Sequence, residues 1–159
     1  MLTAIHCVNR VRGVVVMVPG NIVAGSWPPG GPAWLLDGRS LPYVDHSGPD
    51  CDDADALIPV ELVPGAILMV AAGADHVWPS ADMARALSRR LHEHGDSDGH
   101  TILEYPEAGH SVGYLLPRLP PGLLPQEITD QAADKAARAD AWPKAVEFIR
   151  KLGNTGANG

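Results

Sequence analysis

Two short runs of strand-forming residues, Ala-Ile-Leu-Met-Val-Ala-Ala at 66–72 and Thr-Ile-Leu-Glu-Tyr at 101–105, flank one helix-length segment. No other feature constrains the fold as much. Ser80 offers a cap for the helix start, and Asp82 puts a negative charge in its first turn, where the helix dipole favours it. Met83, Leu87 and Leu91 recur at i, i+4 and i+8 as one apolar face, Arg85, Arg89 and Arg90 lie mostly off that face, and Gly95 supplies the stop. Two strands joined by a crossover of this length pair in parallel, and such crossovers are right-handed almost without exception. Residues 11–18 add an apolar, Val-rich run that reads as a parallel strand covered on both faces. The predicted class is α/β, with a mostly parallel sheet and flanking helices.

The rest of the chain is less regular. Residues 1–7 read as the end of a helix, with Leu2 and Ile5 on one face. No Ser, Thr, Asp or Asn opens it, so this helix looks cut. Many of the 15 Pro and 17 Gly fall between residues 19 and 65, which predicts a long irregular excursion over 19–60. Segments of that length are typically functional or disordered, and this one is placed to cap a site. A last helix is expected within 130–152, with Trp142, Ala145, Val146, Ile149 and Leu152 as its apolar stripe. Pro143 implies either a fresh start capped by Asp140 or a kink. The expected domain is 1–152, followed by a flexible tail at 153–159.

Composition removes several function classes. Hydrophobic residues make up 45% of the chain, enough for a core. A net charge of −7, with no run of Lys or Arg longer than two, argues against nucleic acid and anionic membranes as partners. The apolar runs are too short to span a bilayer, and His6, Asn9, Arg10 and Arg12 interrupt any signal-peptide core. Cys7 and Cys51 are too few for a disulfide framework or a zinc site. A cytoplasmic protein with no cofactor and no metal is the expectation.

Each strand of the 66–105 unit is followed by one polar residue of a kind that does chemistry. Asp75 stands in Gly73-Ala74-Asp75-His76-Val77-Trp78-Pro79-Ser80, and His110 in Tyr105-Pro106-Glu107-Ala108-Gly109-His110. Residues just past the C-terminal ends of neighbouring parallel strands project from the same sheet edge, where ligand crevices form. An imidazole can take a proton from a nucleophile near neutral pH. A carboxylate on its other nitrogen fixes the tautomer and stabilises the imidazolium. Gly73 and Gly109 allow tight or left-handed backbone ahead of the two residues. The plainer readings are an Asp that forms a turn or caps a helix and an unrelated histidine. His92 and His94 face different ways on a helix and, with His100, are expected to be solvated. Asp50, Asp52, Asp53 and Asp55 form an acidic loop without the pattern of a calcium site. Neither Ser26 nor Cys7 sits on a strand-to-helix elbow, and no Gly-x-Ser-x-Gly or Gly-x-Cys-x-Gly occurs in the chain.

Together with His94-Gly95, the Asp75 and His110 segments resemble the C-terminal α/β-hydrolase domain of the acyl-CoA thioesterases and bile acid-CoA:amino acid N-acyltransferases. Val11-Arg12-Gly13-Val14-Val15 resembles the strand after the nucleophile helix. Trp34, 37–43 and 58–61 are similar to the family's excursion, and Asp140-Ala141-Trp142 with Phe148-Ile149 to its final helix. The resemblance runs from about residue 2 to residue 152. It diverges at 111–121, which is longer than the family's Pro-rich segment.

The resemblance implies a partial α/β-hydrolase fold in which Asp75, not His76, is the acid and His110 the general base of a nucleophile–His–Asp triad. It places the nucleophile a few residues ahead of Met1, so the chain is expected to be N-terminally truncated and inactive alone. The implied substrate is an acyl-CoA or another ester or thioester. The 11–18 strand would be left with an open edge, inviting self-association or a partner chain. The alternatives are a dienelactone-hydrolase-like esterase fragment and a non-catalytic binding or interaction module.

Overall fold

Strand β4 (Ala66–Ala72) is buried on both faces and paired on both edges. This is the arrangement its unbroken apolar run calls for, because a half-exposed strand would alternate with polar residues. The computed structural model describes residues 1–26, 30–45, 54–96, 99–114, 116, 119–120, 122–125 and 128–154. The Trp27-Pro28-Pro29 run, Cys51, the acidic residues Asp50, Asp52 and Asp53, and most of the 153–159 tail lie outside the described residues.

The chain enters through helix α1 (Leu2–His6) and a 3₁₀ turn at Val8–Arg10 into strand β1 (Gly13–Met17). A two-stranded hairpin, β2 (Leu35–Leu36) with β3 (Arg39–Ser40), follows. Its two turn residues, Asp37 and Gly38, both have positive φ (51° and 77°). That is the turn an Asp-Gly pair favours between twisted strands. Two 3₁₀ turns, Ala54–Ala56 and Val60–Leu62, lead to β4. Helix α2 (Ser80–Glu93), strand β5 (His100–Tyr105), a 3₁₀ turn at His110–Tyr114 and helix α3 (Ala132–Asn154) complete the order.

The main sheet has the order β1-β4-β5, and both pairings are parallel. Gly13 faces Ala66 and Met17 faces Val70, while Ile67 faces His100 and Ala72 faces Tyr105. The side chains of β4 alternate between two cores. Ile67, Met69 and Ala71 pack with Ala84, Leu87 and Leu91 of α2 and Ala4 of α1. Val70 and Ala72 pack with Ala137 and Ala141 of α3. Each fully buried large side chain here contributes roughly 1.5–3 kcal/mol. Arg90 of α2 makes a two-pronged ion pair with Glu61 that ties the helix to the 3₁₀ turn ahead of β4.

Several elements differ from expectation. Strand β1 is half-buried throughout, because among the described residues only β4 lies beside it. Ser80 does not cap α2. Pro79 holds that position, and Ser80 is the first helical residue, fully buried and bonded through its hydroxyl to both backbone groups of Ala72. Gly95 does end α2, at φ 87°, with Asp96 N–H reaching back to the Leu91 carbonyl. The last helix is one element that runs through Pro143. Its buried face is Asp134, Ala137, Arg138, Ala141 and Ala145, whereas Trp142 and Ile149 are exposed. The alanines let the helix lie close to the sheet, and two charged residues occupy positions an apolar pattern would fill.

Gly65, the residue before β4, has φ 73°, and a Cβ there would stand 2.0 Å from the Arg12 carbonyl oxygen. Both the backbone conformation and the close approach require glycine. Gly65→Ala is expected to lower stability by at least about 2 kcal/mol in urea unfolding followed by circular dichroism.

Candidate active site

The register of β4 against β5 sets the site. Ala72 and Tyr105 are partners, so the chain leaves both strands at the same edge of the sheet. Beyond that point the two turns bond to each other. Gly73 N–H donates to the Tyr105 carbonyl, and Ala74 N–H to the Ala108 carbonyl. Gly73 is needed because a Cβ there would lie 2.6 Å from the Pro106 carbonyl oxygen. Neither Gly73 nor Gly109 has the left-handed conformation that their positions suggested. At Gly109 an added Cβ would meet Asp134 only at an ordinary 3.5 Å.

This bracing brings Asp75 and His110 together. His110 Nδ1 lies 3.1 Å from Asp75 Oδ1 and 3.0 Å from Oδ2. The Asp75 side chain is 0% exposed and that of His110 is 13% exposed. Asp75 Oδ1 also accepts the N–H groups of Val77 (2.9 Å) and Trp78 (3.3 Å). The plain turn-forming role of an Asp after a strand is therefore real here, and it orients the carboxylate toward the histidine. Burial alone pushes the Asp75 carboxyl up. The hydrogen bonds from His110 and Val77 outweigh it and hold the group below its ordinary value. An ionised carboxylate only accepts, so Nδ1 carries the proton and Nε2 has the free lone pair. Nε2 makes no hydrogen bond among the described residues.

Trp78, three residues after Asp75, meets the His110 ring edge-on, with centroids 4.6 Å apart at 86°. Its indole N–H donates to the Val18 carbonyl at 2.9 Å. Val18 itself sits at φ 39°, a costly conformation for a β-branched residue. The residue just past β1 is thus bent, and its carbonyl holds the tryptophan. Beside Trp78 an apolar hollow of about 300 Å³ is lined by Met1, Val18, Ile22, Trp34, Trp78 and Met83, among others.

The residues around His110 are gripped by the start of α3. Gly109 N–H donates to the buried carboxylate of Asp134, which also accepts Gln131 N–H at 2.8 Å. Arg138, 1% exposed, donates to the Ser111 carbonyl and hydroxyl, to the Leu116 carbonyl and, with both terminal nitrogens, to Asp130. The bonds from Arg138 hold the Asp130 carboxyl below its ordinary value. Sequence reasoning did not find Ser111, Asp134 or Arg138. Asp134 and Arg138 match an ordinary solvated helix face by type and spacing, Ser111 stands in a turn without a motif, and only the fold shows that all three are buried.

The other candidates stay apart from the pair. His76, next to Asp75, is exposed. Cys7 is exposed at the end of α1, before β1 begins, and so lies toward the opposite edge of the sheet. His92 and His94 are exposed, but the His100 side chain is only 5% exposed. It is bonded to the Ser88 hydroxyl at 2.8 Å and is not solvated as expected. Among the described residues no three of His, Cys, Asp and Glu gather as a metal site.

Asp75 gives a pH test. A carboxyl whose folded pKa is depressed stabilises the protein fully above its unfolded value of 3.8, and this contribution is lost as pH falls through the folded value. Asp75→Asn is expected to be about 1–3 kcal/mol less stable than wild type at pH 7. That difference shrinks below pH ~4 in denaturant titrations run across the acid range.

The family model for the BAAT / acyl-CoA thioester hydrolase C terminal matches residues 43–124, just over half the chain, and spans both Asp75 and His110. The mouse peroxisomal succinyl-coenzyme A thioesterase is 34% identical over 110 residues, which are 63% of this chain and 25% of that protein. Mouse acyl-coenzyme A thioesterase 5 is 31% identical over 111 residues, 64% of this chain and 26% of that protein. Rat mitochondrial acyl-coenzyme A thioesterase 2 is 34% identical over 106 residues, 62% and 23% respectively. The chain spans about a quarter of the length of the curated relatives it matches. By the family model and these relatives, the chain belongs to the BAAT / acyl-CoA thioester hydrolase C-terminal family.

Proposed function

We propose that this chain supplies the acid–base pair of an acyl-CoA thioester hydrolase or acyltransferase. The buried Asp75 carboxylate on His110 Nδ1 is the observation that carries this reading. In the proposed reaction, His110 Nε2 accepts the proton of a hydroxyl or thiol nucleophile as that group attacks the thioester carbonyl. The imidazolium, stabilised by Asp75, then returns the proton to the departing CoA thiolate. A second proton transfer through Nε2 activates water or an amine and releases the acyl group. The apolar hollow beside Trp78 supports an acyl chain as the group held next to the pair.

Residues 1–152 act as a partial α/β-hydrolase unit, with 19–60 as its excursion and a tail after it. The nucleophile comes from outside these 159 residues, since no elbow motif occurs within them. Alone, the chain is then inactive. The outer edge of β1 is unpaired among the described residues, which supports a further strand there, from this protein or a partner chain. The family match favours a thioester over the dienelactone-type ester. No helix among the described residues is long and apolar enough to cross a membrane.

A domain exchange tests it. The matched segment of the mouse succinyl-coenzyme A thioesterase is replaced by this chain, and thiol release from acyl-CoA is followed. The chimera is expected to hydrolyse thioester, and His110→Ala to lower kcat by at least about 10³-fold. The unfused chain is expected to release no thiol above buffer. A chimera indifferent to His110, or hydrolysis by the unfused chain that persists in His110→Ala, contradicts the proposal.

A further inference from the structure

Asp134 and Arg138 are fully buried charges four residues apart on one helix, yet no ion pair joins them. Removing a carboxylate and a guanidinium from water costs several kcal/mol each before any partner is counted. Both are directed at backbone on either side of a single residue. Asp134 takes the N–H of Gly109, immediately before His110. Arg138 takes the carbonyl and hydroxyl of Ser111, immediately after it, and Asp130 braces the same hydroxyl at 2.9 Å. The histidine is held between two anchors on α3, while its ring is held by Asp75 and Trp78. A loop that needed only to be tethered could be packed by apolar side chains at no desolvation cost. Directional bonds to the residues on both sides instead hold the backbone around His110 in one place.

We propose that Asp134 and Arg138 are positioning residues for His110, setting the imidazole square to Asp75. The proposal rests on the reading of His110 as general base, but its test needs no thioester. The charged groups around the ring and its neighbours are Asp75 from the β4–α2 turn, and Asp130, Asp134 and Arg138 from the entry and first turns of α3, with exposed Lys135 3.9 Å from Asp130.

The His110 ring protons are titrated by NMR in the full chain and in three variants. Asp134→Asn removes the charge and keeps one acceptor. Arg138→Lys keeps the charge and removes the fork. Ser111→Ala removes one hydroxyl and leaves the Arg138–Asp130 pair, so it carries the test if Arg138→Lys fails to fold. Val146→Ala, on α3 but outside this network, serves as a control for destabilisation alone. Loosening the ring from the carboxylate lowers the titration midpoint. A fall of about half a pH unit or more is expected in Arg138→Lys and a smaller one in Ser111→Ala, with neither changing the local net charge. Asp134→Asn should fall at least as far as Arg138→Lys. Midpoints that stay at the wild-type value while melting temperatures fall show a purely structural role and overturn the proposal. So does an equal shift in Val146→Ala. Failure of the domain exchange with these midpoints shifted would remove the thioesterase reading and leave the positioning network standing.

Discussion

The parallel register of β4 and β5 is the constraint from which the site follows. With Ala72 beside Tyr105, the two chains turn away from the sheet together. Asp75, three residues beyond one strand, meets His110, five residues beyond the other. A slip of one residue would turn every side chain of a strand to the opposite face. With Met69, Val70 and Ala71 at 0% exposure and packed into two different cores, a slip would have to repack both at once. Hydrophobic packing in the middle of the sheet thus fixes a polar contact at its edge.

Around that contact the molecule spends stability on geometry. Val18 takes a strained backbone conformation and its carbonyl holds Trp78. Ser80 is buried against Ala72, locking the start of α2 to the end of β4. Two charged side chains of α3 are buried beside the histidine loop. Each departs from what local propensity prefers, and all of them lie within one or two residues of Asp75, Trp78 or His110 or bond directly to their neighbours. Departures from local preference are expected to gather at functional sites, where surrounding structure compensates for them.

Much of this was legible from sequence. The strand–helix–strand unit followed from the apolar runs at 66–72 and 101–105 and from the i, i+4, i+8 pattern of Met83, Leu87 and Leu91. The meeting of Asp75 and His110 followed from parallel pairing. What escaped had a physical reason in each case. Ala145 of the expected α3 stripe is buried, but Trp142 and Ile149 are exposed, and the helix also packs through Ala137 and Ala141 and through Asp134 and Arg138. Hydrophobic periodicity cannot register a buried charge. Ser80 suits a cap by residue type, and only the proximity of Ala72 makes it a tether instead. The hairpin at Leu35–Ser40 was carried by Asp37-Gly38, a turn signal overlooked within a Pro- and Gly-rich stretch.

The proposed chemistry depends on Asp75 holding the proton of His110 on Nδ1 and leaving Nε2 free to accept another. Long-range proton–nitrogen correlation of the imidazole at neutral pH observes this directly. A single Nδ1–H tautomer is expected for His110, giving way to a mixture in Asp75→Asn. A His110 ring protonated on Nε2, or one whose tautomer is unchanged by Asp75→Asn, would contradict it.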